Sequence, residues 1–288
     1  GLREVYAEWA LADARQQRLA AQAERVEGLA HREAARAARG ESSQLEVQRL
    51  ELAASALRSR VALAASDSER ARADAGAWNP ELPVGARPVL PAPPPPPDPA
   101  SVHPLVRAAQ DELDAATLER EAVGRFVASP ELRAGWQRQE LGSESLDGPL
   151  LGFGWSLPLF DRNQGQRAAA DARVAAAGAR LELAQRRIDA SRPAARSAFE
   201  RLAAALDDAA AVVTDSERML DGAETAFQLG ESSLTDFLET LREVTEAELT
   251  LLDLHAATLR AHRELERLAG ATDLPLPTTD PETEETLP

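Results

Sequence analysis

Apolar residues recur at helical spacing from about Leu2 to Ala38, with Val5, Trp9 and Ala12 on one face, continued by Leu19, Val26 and Leu29. Gly40 stops this run, and Ser42 or Ser43 can cap a second helix that reaches about Ala73 and carries Leu45, Leu52, Leu57 and Leu63. Two long helices joined by so short a turn lie antiparallel. From Trp78 to Pro99 the helical pattern lapses. Five consecutive prolines, Pro93 to Pro97, flanked by Pro88, Pro91 and Pro99, predict an extended polyproline connector whose role is that of a spacer. Helix resumes at about Val102, with His103-Pro104 as its entry turn, and fades near Arg125.

The period then changes from 3.6 to 2. Leu132, Ala134 and Trp136 alternate with Arg133, Gly135 and Gln137. Leu151, Phe153, Trp155, Leu157 and Leu159 alternate with Gly152, Gly154, Ser156 and Pro158. With the polar stretch Leu141 to Gly148 between them, the two runs predict a β-hairpin over about 130–159, greasy on one face and small or polar on the other. The second run approaches the roughly 9–11 residues with which a strand crosses a bilayer. Beyond Asp161, Asn163 and Gly165 a helix runs to about Leu229, close to ~100 Å at about 1.5 Å per residue. Pro193 should kink it or mark a joint. A returning helix spans Leu234 to about Leu268, and the Pro-, Thr- and Glu-rich tail 271–288 is expected to be disordered.

The breaker between helices is the same in both halves: Gly40-Glu41-Ser42-Ser43 and Gly230-Glu231-Ser232-Ser233. An identical turn at equivalent places in two helical hairpins indicates internal duplication. The organisation expected is a first hairpin over 1–77, a linker over 78–101 and a second repeat over 102–270.

Composition narrows the function. The net charge of −16 makes nucleic acid a poor partner. The arginines are interspersed with acids and read as solvated helix faces with i,i+4 pairs; there is no lysine. The absence of cysteine removes disulfides and thiolate chemistry. Gly1 to Ala14 carry charge throughout and do not read as a signal peptide. No phosphate loop, zincin pair or Ser nucleophile setting occurs, so an enzyme is not expected, nor a cofactor. His255 and His262 lie seven apart on one helix, whereas chelation on a helix favours i,i+4. With His31 and His103 they are assigned ordinary packing or surface roles, and no metal site is expected.

The strand-to-helix segment Leu157-Pro158-Leu159-Phe160-Asp161-Arg162-Asn163-Gln164-Gly165 resembles the TolC family of outer-membrane efflux proteins, most closely its heavy-metal-efflux branch. So does the tip Phe227 to Ser233 with Leu234, Asp236 and Phe237, and so does Val102 to Ala109. The resemblance covers about Val5 to Gly270. It implies a mainly α protein of long antiparallel hairpins, an α-barrel protomer, with one β-hairpin belonging to a membrane β-barrel. It implies a homotrimer at full length, set in outer-membrane lipid, that docks a periplasmic adaptor and an inner-membrane pump. The implied function is a passive exit duct for metal cations or small toxic compounds.

Family members open with a signal segment and a first strand pair, which would lie before Gly1, so the chain is expected to be N-terminally truncated. Gly40, Glu41, Ser42, Ser43, Gly230, Glu231, Ser232 and Ser233 become adaptor-contact tips. Asp236 and Glu239, on one helix face, become aperture residues; Glu46 and Arg49 hold the equivalent offsets in the first repeat. Leu151, Phe153, Trp155, Leu157 and Leu159 become a membrane-facing strand. The competing reading is a non-enzymatic periplasmic coiled-coil scaffold, adaptor-like, or an inactive channel fragment.

Overall fold

The computed structural model describes residues 2–80, 86–97, 102–124, 130–141, 144–155 and 164–270. Within them the order is α1 (Leu2–Ala38), α2 (Gln44–Trp78), α3 (Pro104–Gly124), β1 (Pro130–Leu141), β2 (Glu144–Trp155), α4 (Gln164–Leu229) and α5 (Leu234–Ala269). The chain divides into two compact units. One comprises 1–101 with 191–288, the other 102–190. The boundary inside α4 falls just ahead of Pro193, which α4 carries within one continuous helix.

In the first unit, α1 and α2 form one antiparallel hairpin, bridged by Arg58 to Glu27 at 2.7 Å. The C-terminal part of α4 and α5 form the other; near its tip the Phe227 and Phe237 rings stack at 6.1 Å. The repeats lie side by side, with α1 parallel to α4. Arg18, Arg25 and Arg32, one every second turn of α1, reach Glu217 at 2.6 Å, Asp221 at 2.7 Å and Glu224 at 2.6 Å. The expectation that arginines mainly serve i,i+4 pairs on their own helix is therefore corrected for this row, which joins one repeat to the other.

The core behind the tips draws Val26 and Leu29 from α1, Leu50, Ala54 and Leu57 from α2, Leu220 and Phe227 from α4, and Leu234, Phe237, Leu241 and Val244 from α5. On α2, Leu57 is buried but Leu45, Leu52 and Leu63 are exposed. The small residues Ala54 and Ala64 occupy the buried face instead, as close helix packing favours. Helix α2 also runs on to Trp78, past the expected end near Ala73. Gly76 does not adopt a positive φ and is carried within the helix, and the first proline is Pro80, just past the Asn79 cap.

In the second unit α3 packs antiparallel to the start of α4, with Arg120 to Asp171 at 2.6 Å and further pairs from Arg173 to Glu119 and Arg180 to Glu112. His103 begins α3: its carbonyl accepts from Val106 and Arg107, its Nδ1 accepts from the Leu105 N–H at 3.1 Å, and Pro104 takes the first helical position.

The hairpin is longer on its turn side than its alternation suggests. β1 and β2 pair from Pro130↔Trp155 to Leu141↔Glu144, so the polar stretch read as a loop is strand on both sides. A ladder needs no apolar alternation to form; backbone groups pair whatever the side chains are. Leu157 and Leu159, the segment from Leu157 to Asn163 and the tail 271–288 lie outside the described residues.

The expectation that this hairpin belongs to a membrane β-barrel is overturned. The described sheet has two strands, β1 and β2. Two strands leave both outer edges unpaired and cannot close, whereas the smallest membrane barrels need about eight.

Candidate functional site: two matched helical tips

Each tip begins with a glycine in the left-handed region. Gly40 and Gly230 both have φ of 76°, a conformation in which a Cβ crowds the following carbonyl. Each glycine N–H donates back to a helix carbonyl, Gly40 to Ala37 at 3.0 Å and Gly230 to Phe227 at 3.0 Å. Glu41 and Glu231 follow the same path, donating to Arg36 at 3.0 Å and to Ala226 at 2.8 Å. These bonds satisfy carbonyls that a helix end leaves open.

Each tip then closes with a capping box. The Ser43 hydroxyl accepts from the Leu45 N–H at 3.2 Å, and the Ser43 N–H donates to Glu46 Oε2 at 3.2 Å. The Ser233 hydroxyl accepts from the Asp236 N–H at 3.2 Å, and the Ser233 N–H donates to Asp236 Oδ2 at 3.1 Å. The hydrogen bonds from Ser233 hold the Asp236 carboxyl below its ordinary range. The Arg39 guanidinium does the same for Glu41, chiefly through its hydrogen bonds at 3.2 Å.

The copies also differ in the length of the acid that closes the cap. Glu46 is long enough to take the Ser42 hydroxyl as well, at 3.0 Å. Asp236, one methylene shorter, takes the Ser233 hydroxyl at 2.8 Å, and the buried Ser232 Oγ has no hydrogen-bond partner among the described residues. Asp236 thus has a local task that its spacing to Glu239 did not reveal. Glu239 is exposed on the same helix. Because α1 and α4 run parallel, both tips stand at the same end of the first unit.

The hairpin of the second unit carries the other candidate face. Leu132, Trp136, Leu151 and Phe153 share one side of the ribbon and all are exposed, Leu151 at 80%. Among the described residues no side chain covers them. No described helix is long and apolar enough to cross a membrane, and no described group of His, Asp and Glu could hold a metal ion.

The family model described as outer membrane efflux protein matches residues 101–271, more than half of the chain. The chain belongs to this family. It is the TolC-type family to which the tips and the strand-to-helix segment pointed. An outer membrane efflux protein serves transport and is not an enzyme, and it sits at the outer membrane of a Gram-negative cell, facing the periplasm.

Solved structures agree on the fold. The outer membrane protein VceC from Vibrio cholerae superposes with a TM-score of 0.74 at 18% identity, over 93% of this chain and 68% of that one. A membrane protein from Pseudomonas aeruginosa gives 0.70 at 20% identity, over 93% and 67%. The outer-membrane channel OprN gives 0.72 at 20% identity, over 94% and 66%. This chain therefore spans about two thirds of the length of these relatives. No curated protein matches the sequence significantly.

The exit-duct expectation is corrected here. The match covers 66% of the outer-membrane channel OprN, and the described part of this chain, with an open two-stranded sheet, encloses no pore.

Proposed function

We propose that this chain acts as a non-enzymatic periplasmic scaffold of the outer membrane efflux family, offering its two hairpin tips as docking points for the helical hairpins of a periplasmic adaptor. The observation that carries this reading is the pairing of the tips. Gly40–Ser43 and Gly230–Ser233 share one backbone path and one capping scheme, and parallel packing sets them at one end. Two like surfaces at one end suit a partner that presents repeated hairpins.

A tip closed by glycine and serines has little bulk, so another helix pair can approach its backbone. The acids beyond it, Asp236 and Glu239 in one tip and Glu46 in the other, would favour basic groups on that partner. Asp236 and Glu239 are assigned to this contact and to repelling anions near it. The exposed face of Leu151 and Phe153 is assigned to lipid at the outer membrane. The solved relatives compared lie between 18% and 20% identity. No single one of them singles out the heavy-metal-efflux branch, so the proposal names no cargo.

The chain holds no cysteine, which makes single-cysteine cross-linking clean. Glu41→Cys and Glu231→Cys should each trap an adaptor-sized adduct in intact cells, and Glu51→Cys, on the side of α2, should not. Absence of adducts from both tips would reject the docking assignment. Steady single-channel conductance by the purified chain in planar lipid bilayers would reject the scaffold in favour of a pore.

A further inference from the structure

The proline-rich connector is not a loose spacer. His255 Nε2 lies 2.8 Å from the carbonyl oxygen of Pro91, and His262 Nε2 lies 3.0 Å from that of Pro95. Upstream, the Val89 N–H donates to the Tyr6 hydroxyl at 3.0 Å. A polyproline segment makes no internal hydrogen bonds, so its carbonyls are free to accept from water or from donors elsewhere in the chain. The middle of a helix has no spare backbone N–H to give, so the donors must be side chains.

The two rulers match. Histidines seven residues apart on a helix stand about 10 Å apart, and four residues of polyproline span about 12 Å. Both contacts run in the same chain direction, Pro91 to Pro95 along His255 to His262. The His262 ring is buried and meets the Phe199 ring edge-on at 5.7 Å, a contact that helps hold the imidazole in place. Past Pro95 the groove opens into a cleft of about 260 Å³ between Pro96, Pro97, Pro193 and Leu265. There Arg192 donates from Nε to the Leu268 carbonyl at 2.9 Å and pins α4 to α5.

We propose that the face of α5 bearing His255 and His262 is a binding site for a polyproline II segment, occupied by the chain's own Pro91–Pro95. For each contact the imidazole must carry its proton on Nε2, since a proline carbonyl can only accept. The site makes the connector a strap across the base of the second hairpin, independent of what the tips bind.

Spin labels on Ala92→Cys and Arg260→Cys, both at exposed positions, test the strap by pulsed electron–electron distance measurement. The expected parent result is one narrow distance peak. His255→Leu with His262→Leu keeps side-chain bulk but removes the donors, and should raise the ratio of detached to bound strap by roughly tenfold or more, broadening the peak. His255→Gln with His262→Gln restores N–H donors at similar reach and should narrow it again. A broad distribution in the parent overturns the proposal. So does a peak that stays narrow in the leucine pair, or one that stays broad in the glutamine pair while circular dichroism shows native helix content.

Discussion

Ser233 and Asp236 hold each other across the first turn of α5, the Asp236 N–H on the Ser233 hydroxyl at 3.2 Å and the Ser233 N–H on Asp236 Oδ2 at 3.1 Å. Ser43 and Glu46 repeat the arrangement at α2. A lost N-cap costs about 1 kcal/mol. Ser233→Ala and Ser43→Ala should each lower stability by about that amount in urea titrations. The sites belong to different turns, so the double variant should show near-additive loss.

Glycine changes should split by position. A Cβ on Gly230 would meet nothing within 4 Å, so the cost of Gly230→Ala comes from the positive φ alone, about 1–2 kcal/mol. Gly222, in the interior of α4, also has open space for a Cβ and no positive φ. Gly222→Ala should therefore stabilise by about 0.5–1 kcal/mol. Opposite shifts in melting temperature for the two variants would check the assignment.

Acid should weaken the second tip by a predictable sign. The hydrogen bonds from Ser233 lower the Asp236 pKa in the folded chain. Its contribution is fully present above the unfolded value of about 3.9 and is lost as pH falls through the lower folded value. Asp236→Asn removes that titration. The melting-temperature difference between parent and variant should be constant near neutral pH and shrink as pH drops below about 4.

The tips were legible in the sequence because their signal is local. A glycine at a helix end followed by serine and, three residues on, an acid specifies turn and cap without outside help. The strap was not. Each half of it, a run of prolines and a pair of histidines seven apart, has a bland reading alone, and only the fold brings Pro91 to His255. The arginine row had a faint signal, since Arg18, Arg25 and Arg32 recur every seven residues. That period marks a seam facing another helix, not a solvated face. The hairpin's register was half legible: apolar alternation located Leu132 and Phe153, but the polar stretch is paired by backbone bonds that side-chain patterns do not report.

The seam also contains a buried charge, and it yields the sharpest mutational contrast. Glu248 on α5 has 3% exposure; Arg18 Nη1 reaches its Oε1 at 3.1 Å and Gln22 Nε2 donates to its Oε2 at 3.2 Å. Arg18 also bridges to Glu217, so one guanidinium ties α1 to both α4 and α5. Removing one partner of a buried pair strands the other charge, at a cost of about 3–5 kcal/mol when both are buried. Arg18 is half-exposed, so water can answer part of that loss. Arg18→Ala should then cost about 2–3 kcal/mol. Glu248→Gln keeps hydrogen bonding without the charge and should cost nearer 1 kcal/mol. A double-mutant cycle by denaturant unfolding measures the difference. Coupling near zero would show that the pair contributes no more than an exposed bridge.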